Sequence, residues 1–229
     1  MTRISALTAL ASADAGDTLP ILDVSATTTK KITKTAYLSD VIDGTLLGDN
    51  SIQSRHIDWA DTGSGDNGGI WWEEIGRTTL GSAGDTISVT PIAARKYLRI
   101  FVALLPTGGT INGGLQFNND TGTNYATKRI TDGTAASTTS STVISIDPDV
   151  TATVKWGVFD VLNILAQEKQ VVGLMHSAGA AGAGNVPISR TSFAKWANTA
   201  AQITRVDVLN NGGAGDFAIG SEIVVLGHN

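Results

Sequence analysis

The sequence predicts an all-β protein in which an extended N-terminal arm precedes a β-sandwich. Charged residues make up only 16 % of the 229 residues, beside 26 glycines, and this composition is typical of strands joined by tight turns. After residue 70, short apolar segments recur with turn residues between them and with little helical periodicity. Before residue 70, the sequence shows no pattern that would build a core.

The arm and its linker are predicted over residues 1–69. Two short strands are expected there, at 19–24 and 31–38, and Pro20 favours an edge position for the first. The other apolar residues are isolated, and ordering each residue costs about 1–2 kcal/mol. The arm is therefore expected to fold only against copies of itself or against a neighbouring protein. The glycine-rich segment 61–69 is typical of a flexible linker.

The second domain is predicted over residues 70–229. One apolar run carries Leu98, Ile100, Val102 and Leu104 on one face of a strand. About eight to ten strands are expected in all, the number found in a two-sheet jelly roll, so the prediction is a jelly-roll-like β-sandwich. The predicted strands are 70–78, 85–89, 97–105, 111–117, 141–146, 152–164, 169–176, 202–209 and 223–226.

Charge and cysteine content exclude several classes of protein. The net charge of −5 argues against a nucleic-acid partner, because phosphate binding needs a basic surface. The absence of cysteine removes disulfides, thiolate zinc sites and thiol nucleophiles. No apolar stretch of about 18 residues is present, so membrane insertion is not expected. The first residues lack the sustained apolar run of a signal peptide.

No motif points to catalysis, a metal or a cofactor. The three histidines, His56, His176 and His228, are far apart in the sequence, and no G-x-S-x-G elbow occurs. Three pairs of carboxylates could in principle cleave a glycoside, but turn chemistry or opposite strand faces explain each pair better. The pairs are Glu73 with Glu74, Asp147 with Asp149, and Asp216 with Glu222.

Two polar loops invite a ligand interpretation that the residues do not support. Residues 118–120 have the composition of a calcium loop without its closing glutamate, so a turn is expected. Residues 179–185 are glycine-rich but are not followed by the Lys-Ser/Thr of a phosphate loop, so a strand connection is expected.

The tryptophans give more information. Trp156 is predicted to lie in the core, and so is Trp196, in a strand or a short helical turn. Trp71 and Trp72 are adjacent, so one of them faces outward if both lie in a strand. An outward tryptophan is expected to contact another subunit or to stack on a sugar ligand.

Five segments resemble virion proteins of tailed bacteriophages. Residues 4–10, 17–25 and 28–33 are similar to the opening segment of phage tail-fibre and related appendage proteins, 48–57 are similar to short fibre repeats, and 215–227 resemble closing strands of jelly-roll domains in phage structural proteins. The resemblance implies attachment to the particle through the arm and brings no catalytic residues. The residues that would mediate attachment are Leu19, Pro20, Ile21, Leu22 and Asp23.

The expected function is therefore that of a non-enzymatic structural component of a phage virion, a tail-fibre or appendage protein. Other virion proteins, two further copies in a homotrimer and a host surface receptor are its expected partners. It would assemble in the host cytoplasm and leave by lysis. The alternatives are a capsid decoration or head-fibre protein, a polysaccharide-degrading appendage enzyme and a secreted lectin.

Overall fold

The computed structural model describes residues 72–229 in full and, in the arm, the backbone of residues 18–23 and 28–33. By backbone contacts the chain divides into two units, Met1–Thr62 and Gly63–Asn229. The predicted boundary between residues 69 and 70 lies outside the described residues. Within the described ranges there are strands and turns but no α-helix, and hence no helix long and apolar enough to cross a membrane.

In the first unit, β1 (Thr18–Asp23) pairs antiparallel with β2 (Thr28–Thr33). β1 matches the predicted strand at 19–24 to within one residue at each end, so all five residues of the predicted attachment segment lie in it. β2 begins three residues before the predicted second strand, and residues 34–38 lie outside the described part.

The described part of the second unit, residues 72–229, contains fourteen strands. They are β3 (Glu73–Thr79), β4 (Thr86–Val89), β5 (Tyr97–Leu104), β6 (Pro106–Thr107), β7 (Gly113–Phe117), β8 (Tyr125–Thr131), β9 (Thr134–Ser141), β10 (Ile144–Ser145), β11 (Lys155–Leu162), β12 (Lys169–Ser177), β13 (Ile188–Trp196), β14 (Val206–Asn210), β15 (Asp216–Phe217) and β16 (Glu222–His228).

These strands form a β-sandwich of two main antiparallel sheets. The large sheet has the order β3-β16-β5-β11-β12-β13-β8-β9, and the small sheet has the order β10-β7-β14-β4. The short strands β6 and β15 form a separate two-stranded sheet. Without that pair and the hairpins β8–β9 and β12–β13, eight strands remain in the order of a jelly roll: the first, eighth, third and sixth lie in one sheet, and the second, seventh, fourth and fifth lie in the other. The two inserted hairpins widen the large sheet, so the fold agrees with the predicted jelly-roll-like sandwich.

The core lies between the two sheets. Strict alternation along β5 buries Leu98, Ile100, Val102 and Leu104 completely, as predicted. From the small sheet, β7 is buried at every residue. Gly113 of β7 permits a close approach of the two sheets, because a Cβ there would lie 3.0 Å from Cδ1 of Leu104 on β5.

The structure corrects one prediction about the core and adds five strands, β6, β8, β9, β13 and β15. Trp156 does not lie in the core: its side chain is on the outer side of β11 and 45 % exposed, while Lys155 is buried. β8, β9 and β13 were not predicted, because Thr, Ser and Ala dominate β9 and because apolar residues occur on both faces of β13. Trp196, at the end of β13, is buried as predicted.

Candidate interaction surface

The large sheet has an outer face, the side that points away from the small sheet. Alternation in its strands sends every second side chain there. Eleven large apolar side chains are exposed in the described part of the chain, and six of them lie on this one face. We call these six the apolar patch: Tyr97, Ile130, Trp156, Val172, Leu174 and Phe193.

The strand register makes the patch continuous. Leu174 lies opposite Val158 on one side and opposite Thr191 on the other, and Thr191 lies opposite Ile130. In the neighbouring row, Val172 lies opposite Phe193. Directly opposed side chains lie about 5 Å apart, so Val158 adjoins Leu174 and Val172 adjoins Phe193, while Thr191 lies between Leu174 and Ile130. Monomeric proteins rarely expose a contiguous apolar surface of this kind unless it binds something.

The charged groups on the outer face occur mainly as opposite pairs. Arg99 on β5 and Asp160 on β11 lie directly opposite each other and form two hydrogen bonds, Nε to Oδ1 at 2.7 Å and Nη2 to Oδ2 at 2.9 Å. This contact raises the pKa of the Arg99 guanidinium above its usual value. At the margins of the face, Lys195 pairs with Glu168 at 2.7 Å. Lys128 differs from these pairs: it is exposed on β8 opposite Phe193 and forms no ion pair with another described residue.

A second network of this kind lies at the β3 edge of the face. Arg77 donates to Glu74 at 2.8 Å and to Glu222 at 3.0 Å. These hydrogen bonds raise the pKa of the arginine and lower that of the Glu74 carboxyl. The pairs hold the edge strand β3 against β16, which is consistent with the structural interpretation of both glutamates.

Trp72 covers one margin of the outer face. The guanidinium of Arg99 lies 4.9 Å from the centre of the Trp72 ring, within the range of a cation–π contact. The ring of His228 lies 6.2 Å from Trp72 and stacks on Tyr97 at 6.0 Å. The Trp72 side chain is thus half-buried, and part of its ring remains accessible to solvent.

Next to the Trp72 ring is a groove of about 330 Å³. It combines aromatic walls with a few polar groups, and its size is within the range of small-ligand sites. A second groove, of about 450 Å³, adjoins it across β12 and shares Gln170 and Val172 with it. Side chains that line the first groove include Trp72, Tyr97, Arg99, Asp160, Gln170 and Val172.

The carboxylate pairs considered for glycoside cleavage have structural partners or are separated by the strand. Glu73 binds Arg95 at 2.7 Å, whereas Glu74 binds Arg77, so the two neighbours have different partners, as their opposite faces predict. Asp216 is exposed on the short strand β15, while Glu222 on β16 binds Arg77. These contacts give no arrangement of acid and nucleophile.

Asp147 and Asp149 converge on a buried cation that the sequence analysis did not single out. Lys155 is completely buried, and its Nζ donates to Asp147 Oδ1 at 2.6 Å and to the Ile111 carbonyl at 3.0 Å. Asp147 also accepts from the Gly113 amide at 2.8 Å. Burial raises the pKa of the Asp147 carboxyl, and the lysine opposes that effect. This cluster ties the loop after β10 to β7 and β11.

The predicted turn at 118–120 is present, and its aspartate ties it to β13. Asn118 and Asn119 have positive φ angles of 51° and 55°, which asparagine tolerates in turns. Asp120 accepts from Trp196 Nε1 at 2.7 Å, from Asn124 and from the Gly122 amide. Burial alone would raise the pKa of Asp120, but these hydrogen bonds outweigh it and hold the pKa below its usual value.

Several predicted positions lie apart from this surface or outside the described residues. Trp71 and His56 lie outside them, so only Trp72 of the adjacent pair is placed. His176 lies on the outer face beside Trp156, with ring centres 5.7 Å apart. Leu19 to Asp23 lie in β1, and their proposed role in attachment stays a prediction. In the described ranges no three His, Asp or Glu side chains are grouped to hold a metal ion.

Comparison with known proteins adds no identification: no protein family, curated protein or solved structure matches the chain. The properties of the outer face are therefore inferred from its own residues alone.

The sequence signal that could have revealed the outer face lies in β12. There Val172 and Leu174 point outward, and a second apolar set, Val171 and Met175, points to the buried side. A strand that is apolar on both faces indicates that both faces are covered in the functional state.

Proposed function

We propose that the chain is a non-enzymatic structural component of a phage particle, a tail-fibre or appendage protein that docks by its N-terminal arm and projects the sandwich. The observation that supports a structural role is the outer face, a broad preformed surface with a continuous apolar patch. A rigid sheet of this kind suits a protein that acts through contact. The phage setting rests on the resemblance of residues 4–10, 17–25, 28–33 and 215–227 to virion proteins.

Gold-labelled antibodies raised against the purified protein, applied to intact particles of the phage that encodes it, test this proposal. We expect label on the tail or its appendages. Label spread over the capsid would support a decoration or head-fibre protein instead. Particles that carry no label would contradict both locations, provided that the antibody recognises the same protein in a lysate.

The absence of enzymatic activity is tested separately. We expect purified protein to release no sugar from the envelope polysaccharides of the host, because the carboxylates of the second unit that we considered for cleavage bind arginine or lysine or stand alone. Release of reducing sugar that increases with protein concentration would contradict the non-enzymatic role.

A contact between the outer face and a host receptor is an alternative role, and the groove beside Trp72 is the observation that favours it. A second copy of the chain on this face would cover the groove, so the two occupants exclude each other. Purified protein is expected to compete with the phage for adsorption to host cells. Replacing Trp72 with alanine should weaken competition at least about 10-fold, the effect of losing one aromatic contact worth about 1.4 kcal/mol. Leu165→Ala, in an exposed loop, is the control. Equal competition by both variants would contradict a receptor contact in the groove.

A further inference from the structure

We propose that the outer face of the large sheet is the surface through which copies of this chain associate, with the apolar patch at the centre of the contact. This inference rests on the proposed structural function and assigns its subunit interface. The partner is a second copy of the chain.

The first argument is the distribution of apolar surface. The six patch residues are 37–52 % exposed. Partly exposed Val158, Phe101 and Val224 continue the row that starts at Leu174. The other exposed apolar side chains of the described region, such as Leu165 and Val186, lie singly in loops. A single exposed side chain needs no explanation, but a continuous patch on a rigid sheet does.

The second argument is the area. The strands from β16 to β8 run side by side as six neighbours in the sheet. At about 4.8 Å between strands and about 25 Å of strand length they cover roughly 700 Å² in projection. A stable protein interface buries about 800 Å² on each partner. The outer face therefore has the extent that one subunit contact needs.

The third argument is charge. The whole chain carries a net charge of −5, which opposes association of identical copies at random. On the outer face, by contrast, Arg99 and Asp160 neutralise each other beside the apolar patch. A self-contact therefore meets no net charge at this ion pair. Interface centres are depleted in unpaired charge and enriched in aromatic residues and arginine. The patch has this composition, since three of its six residues, Tyr97, Trp156 and Phe193, are aromatic.

Two pairs of matched substitutions in the full chain test the proposal. Leu174→Glu and Val172→Glu place a charge in the patch, whereas Leu165→Glu and Val186→Glu place the same charge at loop positions that are at least as exposed, 57 % and 83 %. All four sites are exposed, so the fold should survive, and circular dichroism checks that it does. Sedimentation of the unmodified chain is expected to give an oligomer rather than the 23.7 kDa monomer.

The patch variants are expected to weaken association at least about 30-fold, the effect of an interface residue worth 2 kcal/mol, while the loop variants leave it unchanged. A monomeric unmodified chain would overturn the proposal. So would folded patch variants that associate as tightly as the loop variants do.

A thiol-labelling experiment shows whether the face itself is covered, even if the arm also associates. Since the chain contains no cysteine, Leu174→Cys and Leu165→Cys each carry a single thiol. In the oligomer, a maleimide should label the thiol at position 174 at least about tenfold more slowly than the one at 165, because labelling follows the small dissociated fraction. The two rates should converge on dilution to monomer.

Equal labelling rates in the oligomer would overturn the proposal and assign association to another part of the chain. Slow labelling at position 174 that persists in a monomer would also overturn it, because the cover would then belong to the same chain. The location of the protein on the particle is measured independently, so failure here leaves the proposed function standing.

Discussion

The side chain of Lys155 shows how strongly one residue depends on its surroundings. Its ammonium group has no exposure and is held by Asp147, Asp149 and the Ile111 carbonyl. A buried ion pair adds little stability compared with an apolar pair, but removing one partner leaves an uncompensated buried charge.

Lys155→Met is therefore expected to lower the free energy of unfolding by about 3–5 kcal/mol. Chemical denaturation measures this. Lys195→Met is the matched control, because its pair with Glu168 is exposed on both sides and should change stability by less than about 1 kcal/mol. If the two variants lose equal stability, the Lys155 cluster does not support the fold as described.

A glycine in β12 makes a second prediction at the scale of a residue. A Cβ on Gly173 would lie 2.0 Å from Cδ1 of Phe159, which is completely buried on the neighbouring strand. Gly173→Ala is expected to cost about 1–3 kcal/mol of unfolding free energy, because the core cannot absorb a methyl group without moving the ring.

The control for this substitution is Gly184→Ala, where a Cβ meets no atom within 4 Å. We expect the free energy of unfolding of this variant, measured by thermal unfolding, to stay within about 0.5 kcal/mol of that of the unmodified protein. A stable Gly173→Ala variant would show that Phe159 packs differently from the arrangement described.

At the scale of an element, the loop between β7 and β8 is tied to the end of β13 through Asp120. The pKa of this carboxyl is lower in the folded protein than its usual value near 3.8, so the folded state binds a proton less readily than the unfolded state. Asp120 therefore stabilises the fold above about pH 4, and that contribution is lost as the pH falls through the folded pKa.

Asp120→Asn is expected to lower stability at pH 7 by about 1 kcal/mol, since an amide accepts these hydrogen bonds more weakly than a carboxylate. The difference from the unmodified protein should shrink as the pH falls below about 4. Thermal unfolding between pH 7 and pH 2 measures both effects, with Asp216→Asn as an exposed control. A difference that grows on acidification would contradict the assigned hydrogen bonds.

The outcome for individual elements shows where sequence patterns suffice. β5 was predicted together with its buried face, because Leu, Ile and Val occur at every second position and therefore all lie on one face of the strand. β11 was predicted as a strand, but Trp156 was assigned to the wrong face. Both of its faces carry apolar and charged residues, and only the partner carboxylates explain why lysine, and not tryptophan, points inward. β9 was missed because nearly all of its residues are exposed.

At the scale of the whole molecule, the separation into an arm and a sandwich predicts independent folding of the second part. Residues 70–229 expressed alone are expected to unfold in one cooperative transition, because both main sheets and their common core lie within this range. Residues 1–69 alone are expected to show no such transition as a monomer.

Circular dichroism during thermal unfolding distinguishes these outcomes. A cooperative transition of the isolated arm at a concentration where it is monomeric would contradict the expectation that it folds only against copies of itself or a neighbour. An isolated second part that fails to fold would contradict the predicted boundary at residues 69 and 70.

By itself, the sequence determined the all-β class, the single large sandwich after residue 70 and the inward face of β5, because alternation and turn residues are local signals. Only the tertiary structure decided the sheet order, the burial of Lys155 and the union of side chains from five strands in one apolar patch. Those features depend on which distant strands become neighbours, and no local pattern records that pairing.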